Sequence, residues 1–156
     1  MVKFLVENGA DVHAGDDYAL RRSSRNGYIE TVKFLVKNGA NIHAHYDDAL
    51  MRSSENGHIE VVKFLVGKGA NIHEDDAIIW SSFNGNIEVV KFLIGKGANI
   101  HADNDNALKW SSSNRHVEVV KFLINSDLEY YSKNEIAKNI VIKHNLIEFY
   151  EKFFIK

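Results

Sequence analysis

The stretch 47–73, DDALMRSSENGHIEVVKFLVGKGANIH, decides the architecture, because it holds two helical signals together with their punctuation. The first runs from about 47 to 56: an aspartate that can accept backbone N–H bonds as an N-cap, an apolar Ala-Leu pair, and Gly57, which can take the left-handed closing conformation. The second begins near Ile59, carries Glu60 in its first turn where negative charge suits the helix dipole, and stops at Gly69. Val62, Leu65 and Val66 fall on one stripe of it. Asn71-Ile72-His73 lacks helical periodicity and reads as an extended turn. Helices this short cannot bury an apolar stripe by themselves, so the pair needs neighbours of its own kind.

The chain supplies them. Lys-Phe-Leu recurs at 3–5, 33–35, 63–65, 91–93 and 121–123, giving periods of 30, 30, 28 and 30 residues. Four copies lead into Gly-Ala-(Asp/Asn)-(Val/Ile)-His, from Gly9, Gly39, Gly69 and Gly97. Asp17, Asp47, Asp75 and Asp105 recur where each first helix should start. Ser23-Ser24, Ser53-Ser54, Ser81-Ser82 and Ser111-Ser112 recur in its middle, where small side chains allow close helix approach and a hydroxyl can bond back to a carbonyl one turn earlier. The expected fold is all-α, a linear array of stacked helix-turn-helix units with short hairpin loops.

The unit NGxIExVKFLVxxGANIHA closely resembles the second half of an ankyrin repeat, through Asn-Gly-His-Ile-Glu-Val-Val at 56–62 and Lys-Gly-Ala-Asn-Ile at 68–72. The match recurs in register along nearly the whole chain, which makes it specific. The resemblance implies a curved ankyrin-repeat solenoid, a non-catalytic role in protein–protein interaction, and a concave groove lined by parts of each first helix. The first helix departs from the family. Tyr18-Ala19-Leu20-Arg21, Asp48-Ala49-Leu50-Met51, Asp76-Ala77-Ile78-Ile79 and Asn106-Ala107-Leu108-Lys109 stand where ankyrin repeats usually carry Thr-Pro-Leu-His. The units are also about three residues shorter than the family's 33, which implies trimmed tips. This short, proline-free form looks like the arrays encoded by giant amoeba-infecting DNA viruses, which would place it in a host cytoplasm.

One domain is expected over 1–156. It divides into a partial N-terminal unit with its loop over 1–16, repeats at 17–46, 47–74, 75–104 and 105–134, and a divergent C-terminal cap over 135–156. The chain starts inside a second helix, so either the array is truncated or its first half-unit frays. At the other end Glu148 keeps the spacing from Glu118 while Gly-Ala and Ser-Ser are lost. That reads as a cap, although an exposed Phe-Tyr-Glu-Lys-Phe-Phe-Ile segment would instead suit a membrane or partner helix.

In such an array the recurring positions hold the stack and the varying ones are free to address a partner. The residue before Ser-Ser reads Arg22, Arg52, Trp80, Trp110, the one before that Arg21, Met51, Ile79, Lys109, and the one after Arg25, Glu55, Phe83, Ser113. These twelve, with Tyr46 at a tip, form the candidate partner-binding set: basic towards the N-terminus and aromatic towards the C-terminus. It suits a protein segment with an acidic part and an apolar part, since Arg, Trp and Tyr dominate interface energetics. The competing reading has Trp80, Trp110 and Ile79 filling core space left by the missing Pro and His.

The tips read Ala14-Gly15-Asp16, Ala44-His45-Tyr46, Glu74 and Ala102-Asp103-Asn104. The 28-residue period removes two residues near Glu74, which should leave a notch beside Trp80 and Phe83. His13, His43, His73 and His101 form a regular row. Zinc needs three or four ligands converging at ~2.1 Å, whereas neighbours in a stack lie ~8–10 Å apart, so no metal and no cofactor are expected. Family members commonly bond adjacent tips through Asn or Asp here, a role His can take. Protonating four stacked imidazoles near pH ~6.5 would add like charge along the array. Arg115 replaces the glycine found at 27, 57 and 85, at a cost on the order of 1 kcal/mol if it keeps the left-handed conformation.

The chain has 156 residues, 45% hydrophobic and 26% charged, a formal net charge of −2, and neither cysteine nor proline. That composition fits one domain and excludes disulfide frameworks and thiolate chemistry. The near-zero charge gives no global pull towards nucleic acid or membrane, and the acidic tips argue against a nucleic-acid reading of the Arg cluster. No apolar run approaches the ~20 residues of a membrane span, and the first residues lack a signal peptide's long apolar region. Ser, His and Asp recur at stacking positions rather than in a singular cluster, so no enzyme is expected. A monomeric, cytoplasmic interaction module is the leading expectation, with a purely structural or remnant array as the alternative.

Overall fold

The computed structural model describes residues 1–74 and 76–143. Among them the chain forms eleven helices and no strand: α1 (Val2–Glu7), α2 (Ala14–Arg25), α3 (Ile29–Lys37), α4 (Ala44–Glu55), α5 (Ile59–Gly67), α6 (Asp76–Phe83), α7 (Ile87–Gly95), α8 (Ala102–Ser113), α9 (Val117–Ser126), α10 (Leu128–Lys133) and α11 (Glu135–Lys143). Asp75, expected to open the third unit's first helix, and 144–156 of the expected cap lie outside the described residues.

Two rows run along the stack. The first helices α2, α4, α6 and α8 pack each on the next, and each also packs on its own second helix, α3, α5, α7 and α9. The second helices touch one another less, so most of the unit-to-unit contact lies in the first row. There the recurrent serines are buried, and small side chains let the backbones approach. One hydrophobic cluster threads the array: Leu20, Leu50, Ile78 and Leu108 from the first row, and Leu35, Leu65, Leu93 and Leu123 with their valine neighbours from the second. At ~25 cal/mol per Å² of apolar surface, each such leucine contributes about 2 kcal/mol. The outward face of the second row is solvated. Its recurrent Glu-x-x-Lys pairs, such as Glu60–Lys63 at 3.2 Å, are exposed and contribute little.

Each helix ends for a local reason. Ala70 N–H bonds to Leu65 O at 3.0 Å and Gly69 N–H to Val66 O at 3.0 Å, with Gly69 at φ +97°. This is the Schellman arrangement, and it explains the recurring Gly-Ala. First helices close the same way, through Gly57 and His58 onto Ser54 and Ser53 carbonyls. Arg115 does take the left-handed conformation, at φ 62°.

The tips differ from the hairpin expectation. Gly15-Asp16-Asp17, His45-Tyr46-Asp47 and Asp103-Asn104-Asp105 are each a left-handed turn with φ between 47° and 64°, so the right-handed helix begins only at Tyr18, Asp48 and Asn106. Left-handed backbone costs roughly 1–2 kcal/mol per ordinary L-residue and less for Asp and Asn. Something must hold it in place.

The recurring aspartate supplies that hold. Its carboxylate faces the next tip instead of capping its own helix. Asn41 N–H donates to Asp17 Oδ1 at 2.9 Å, and Asn71 N–H to Asp47 Oδ1 at 3.0 Å. The same Asn turns its own side chain inward: Asn41 Oδ1 accepts from His43 N–H and Asn71 Oδ1 from His73 N–H, both at 3.0 Å. These Asx turns account for Asp or Asn at that point of every unit. The histidines do not bridge tips in general. His13 Nδ1 and His43 Nδ1 each lie 3.1 Å from the aspartate of their own tip.

A second joint links each step. His58 Nε2 lies 2.9 Å from Arg25 O, and Asn86 Nδ2 donates to Ser54 O and Glu55 O at 3.0 and 2.8 Å. Both satisfy carbonyls that the end of a first helix leaves open. They also press on the preceding glycine: a Cβ at Gly57 would sit 2.8 Å from Asn86 Oδ1.

At the last step the tip is replaced by α10, and α11 takes the next place in the first row against α8. Asp127 caps α10 by accepting from Tyr130 N–H at 3.0 Å. The Tyr130 and Tyr131 hydroxyls donate to Asp105 at 2.9 and 3.1 Å, replacing the backbone N–H that Asp17 and Asp47 receive.

Candidate interaction surface

On an α-helix, positions i, i+1 and i+4 share a face, so the three residues that vary around each Ser-Ser pair point together, away from the serines buried between helices. The candidate set falls into two patches and a remainder.

The basic patch lies on α2 and α4. Arg21, Arg22, Arg25 and Arg52 line one open cleft of about 150 Å³ with Tyr18 and Asp48. Asp48, a buried carboxylate, organises two of them: it accepts from Arg21 Nη1 at 3.3 Å and from Arg52 Nε at 3.1 Å. Arg21 is further tied to the Asp16 and Gly15 carbonyls at 3.0 and 3.1 Å, which steadies the left-handed tip. Arg52 also pairs with Glu55 at 3.1 Å, and that bond holds its guanidinium more firmly protonated than usual. The guanidiniums of Arg22 and Arg25 are exposed and make no hydrogen bond or ion pair among the described residues.

The aromatic patch lies on α6 and α8. Phe83 stands between the tryptophans, its ring centroid 5.4 Å from Trp80 and 5.8 Å from Trp110, both in edge-on geometry. Trp80 is 37% exposed and Trp110 45%, so neither fills the core. Ile79 is half-buried against the apolar cluster, Met51 and Lys109 are half-buried, and Ser113 is exposed. Tyr46 stands apart at its tip, 84% exposed.

At the shortened third tip Tyr46, Leu50, Met51, Asn71 and Glu74 line a shallow crease with no room for a water molecule. Trp80 and Phe83 are not among the residues that line it.

Sequence reasoning missed Tyr18 and Asp48 in the cleft. Their signal was present, since the position reads Tyr18, Asp48, Asp76, Asn106 and so varies like the others. It also missed a second polar cluster at the last joint. There His101 lies between Asp105 (Nδ1, 2.7 Å) and Asp127 (Nε2, 3.3 Å), with the Tyr130 ring centroid 3.9 Å from its own. Burial and the Asp105 carboxylate push the Tyr131 phenol far above its ordinary range, and the bond to Asp105 raises Tyr130. The Tyr130 backbone N–H and then His101 hold Asp127 below the usual carboxylate range. Every group here is spent on bonds across the joint. Among the described residues no three His, Cys, Asp or Glu side chains converge to hold a metal ion, and no helix is long and apolar enough to cross a membrane.

A family model described as ankyrin repeats (3 copies) matches residues 1–76 and 50–134. No curated protein compared with the chain matches it.

Proposed function

The chain belongs to the ankyrin-repeat family, whose members are generally protein–protein interaction modules and typically non-catalytic, and we propose that it holds a protein segment across its first-helix face and tips. The observation that carries this reading is the separation of chemistry by position. Recurring residues are consumed in joints and core, while the varying ones leave two exposed patches, unpaired guanidiniums at one end and a tryptophan–phenylalanine–tryptophan cluster at the other. An acidic part of the partner meets Arg22 and Arg25, and an apolar part covers Trp80, Phe83 and Trp110. Tyr46 and Met51 flank the path between them. A desolvated aromatic anchor and a paired guanidinium are the contacts that dominate interface energy.

The chain acts as a single domain over 1–156, as a monomer, in the cytoplasm. Absence of cysteine suits that reducing setting, and the short proline-free repeat supports an origin among giant-virus arrays, with the host cytoplasm as the site. Capture of proteins from cytoplasmic extract tests the reading, comparing the intact chain with Arg22→Ala/Trp80→Ala and with Lys33→Ala on the solvated second row. A specific protein retained by the intact chain and Lys33→Ala and lost from the double variant is expected. Equal capture by all three would overturn it.

A further inference from the structure

The charge balance of the basic cleft specifies its ligand more narrowly than an acidic segment. Four guanidiniums face two carboxylates, and both are already taken: Asp48 is bonded to Arg21 and Arg52, and Glu55 to Arg52. The surplus of two positive charges is therefore carried by Arg22 and Arg25. They stand beside the Tyr18 hydroxyl, which likewise has no partner among the described residues. Two planar donor forks and a hydroxyl around one opening suit a dianion with several oxygens on one centre, and Arg is the side chain that recognises such a group bidentately. A single carboxylate would leave one guanidinium unmatched.

Asp48 makes the cleft stiff. It is buried and spans α2 and α4, so it fixes Arg21 and Arg52 as the walls between which Arg22 and Arg25 present their guanidiniums.

Resting on the groove reading above, we propose that the cleft takes a phosphorylated serine or threonine side chain of the partner segment, whose apolar anchor then reaches the aromatic patch. Arg22 and Trp80 lie two units apart along the first row. At roughly 8–10 Å per packed helix, two steps span roughly 16–20 Å, which an extended chain covers in about five or six residues at ~3.3 Å each. The partner is thus a phosphopeptide with an apolar residue five or six positions from the phosphorylated one.

Both tryptophans of the chain lie in the aromatic patch, so intrinsic emission reports its occupancy directly. The probes are synthetic peptides carrying phosphoserine, a randomised five-residue spacer and leucine, in both chain directions. Matched peptides replace phosphoserine by serine or by a Glu-Glu pair, and inorganic phosphate is run separately, all at physiological salt with calorimetry alongside. The phosphopeptides bind at least about tenfold more tightly than the serine peptides, as expected for charge-assisted bonds to two guanidiniums, and they shift the emission. Arg22→Gln/Arg25→Gln, exposed positions whose loss leaves far-UV circular dichroism unchanged, removes that advantage, so that phosphopeptides and serine peptides bind the variant alike.

Glu-Glu peptides binding as tightly as phosphopeptides, or a phosphate preference that survives the double substitution, would overturn the inference while leaving the groove reading standing. Inorganic phosphate binding as tightly as the phosphopeptides would assign the cleft to a free anion and overturn it as well. Emission and heat that respond to none of the peptides would remove the groove reading itself.

Discussion

Replacing Asp47 by alanine separates the two roles that an aspartate at the start of a helix can play. As a local N-cap it would be worth about 1 kcal/mol. In the structure it joins two successive tips, accepting from the Asn71 backbone N–H at 3.0 Å and lying 3.1 Å from His43 Nδ1, with its side chain 9% exposed. A hydrogen bond to a charged acceptor contributes about 1.5–3 kcal/mol. The pair with His43, whose side chain is half exposed, adds at most about 1 kcal/mol after solvent screening. Asp47→Ala should therefore cost about 2–4 kcal/mol, and Asp47→Asn, which keeps an acceptor but not the charge, about half of that. Urea unfolding followed by circular dichroism and by tryptophan emission measures both numbers. It also reads coupling, because Trp80 and Trp110 lie beyond the joint while much of the helical signal comes from before it. In an array whose stability is a sum of unit and interface energies, weakening one interface draws the two transitions apart. A cost below about 0.5 kcal/mol with coincident midpoints would refute the joint.

Three further outcomes follow from the same geometry. Ser24, Ser54 and Ser82 bury hydroxyls that have no hydrogen-bond partner among the described residues, whereas Ser53 bonds to Leu50 O at 3.0 Å; Ser54→Ala should leave the urea midpoint unchanged or raise it, and Ser53→Ala should cost about 1 kcal/mol. Gly57→Ala and Gly69→Ala both place a side chain at positive φ, but only at Gly57 does the new Cβ meet a neighbour, Asn86, whose bonds to Ser54 O and Glu55 O must give way. Gly57→Ala should cost about 1 kcal/mol more than Gly69→Ala, and equal costs would remove the strap. Tyr131 has a folded-state pKa raised above that of the unfolded chain, so its contribution is fully present below pH ~10 and is lost as pH rises beyond it, where the unfolded state sheds the proton first. Stability should fall above pH ~10 in the native chain and fall less in Tyr131→Phe, with phenolate absorbance at the joint appearing only on unfolding.

The repeat, the helix pairs and the buried Val-Leu stripes were legible because each depends on spacing within one unit. Gly69-Ala70 announced its Schellman ending, and the residues flanking Ser53-Ser54 announced an outward face. What stayed hidden depends on the distance between successive tips and helices. A carboxylate before a helix satisfies the local rule for an N-cap, and nothing within 47–73 says that Asp47 turns to Asn71 instead. The left-handed tips carry residues as unlike as His45, Tyr46 and Asn104, so no single residue type marks them. Tyr130 and Tyr131 find Asp105 across a joint where the repeat pattern has already dissolved. In the cleft the four arginines were visible, but not their division into two held by Asp48 and two left unpaired, since that split is a matter of reach and burial.

The most direct test of the division between recurring and varying positions measures affinity for the captured partner and Tm together in two variants. Arg22→Ser/Arg25→Ser/Trp110→Ser strips the exposed patches, and Ser53→Ala loosens the recurring packing without touching them. The first should abolish binding while moving Tm by less than about 4 °C, the shift that about 1 kcal/mol produces at this chain length. The second should lower Tm and keep the affinity. A partner still bound by the stripped variant, or lost from a folded Ser53→Ala chain, would contradict the account.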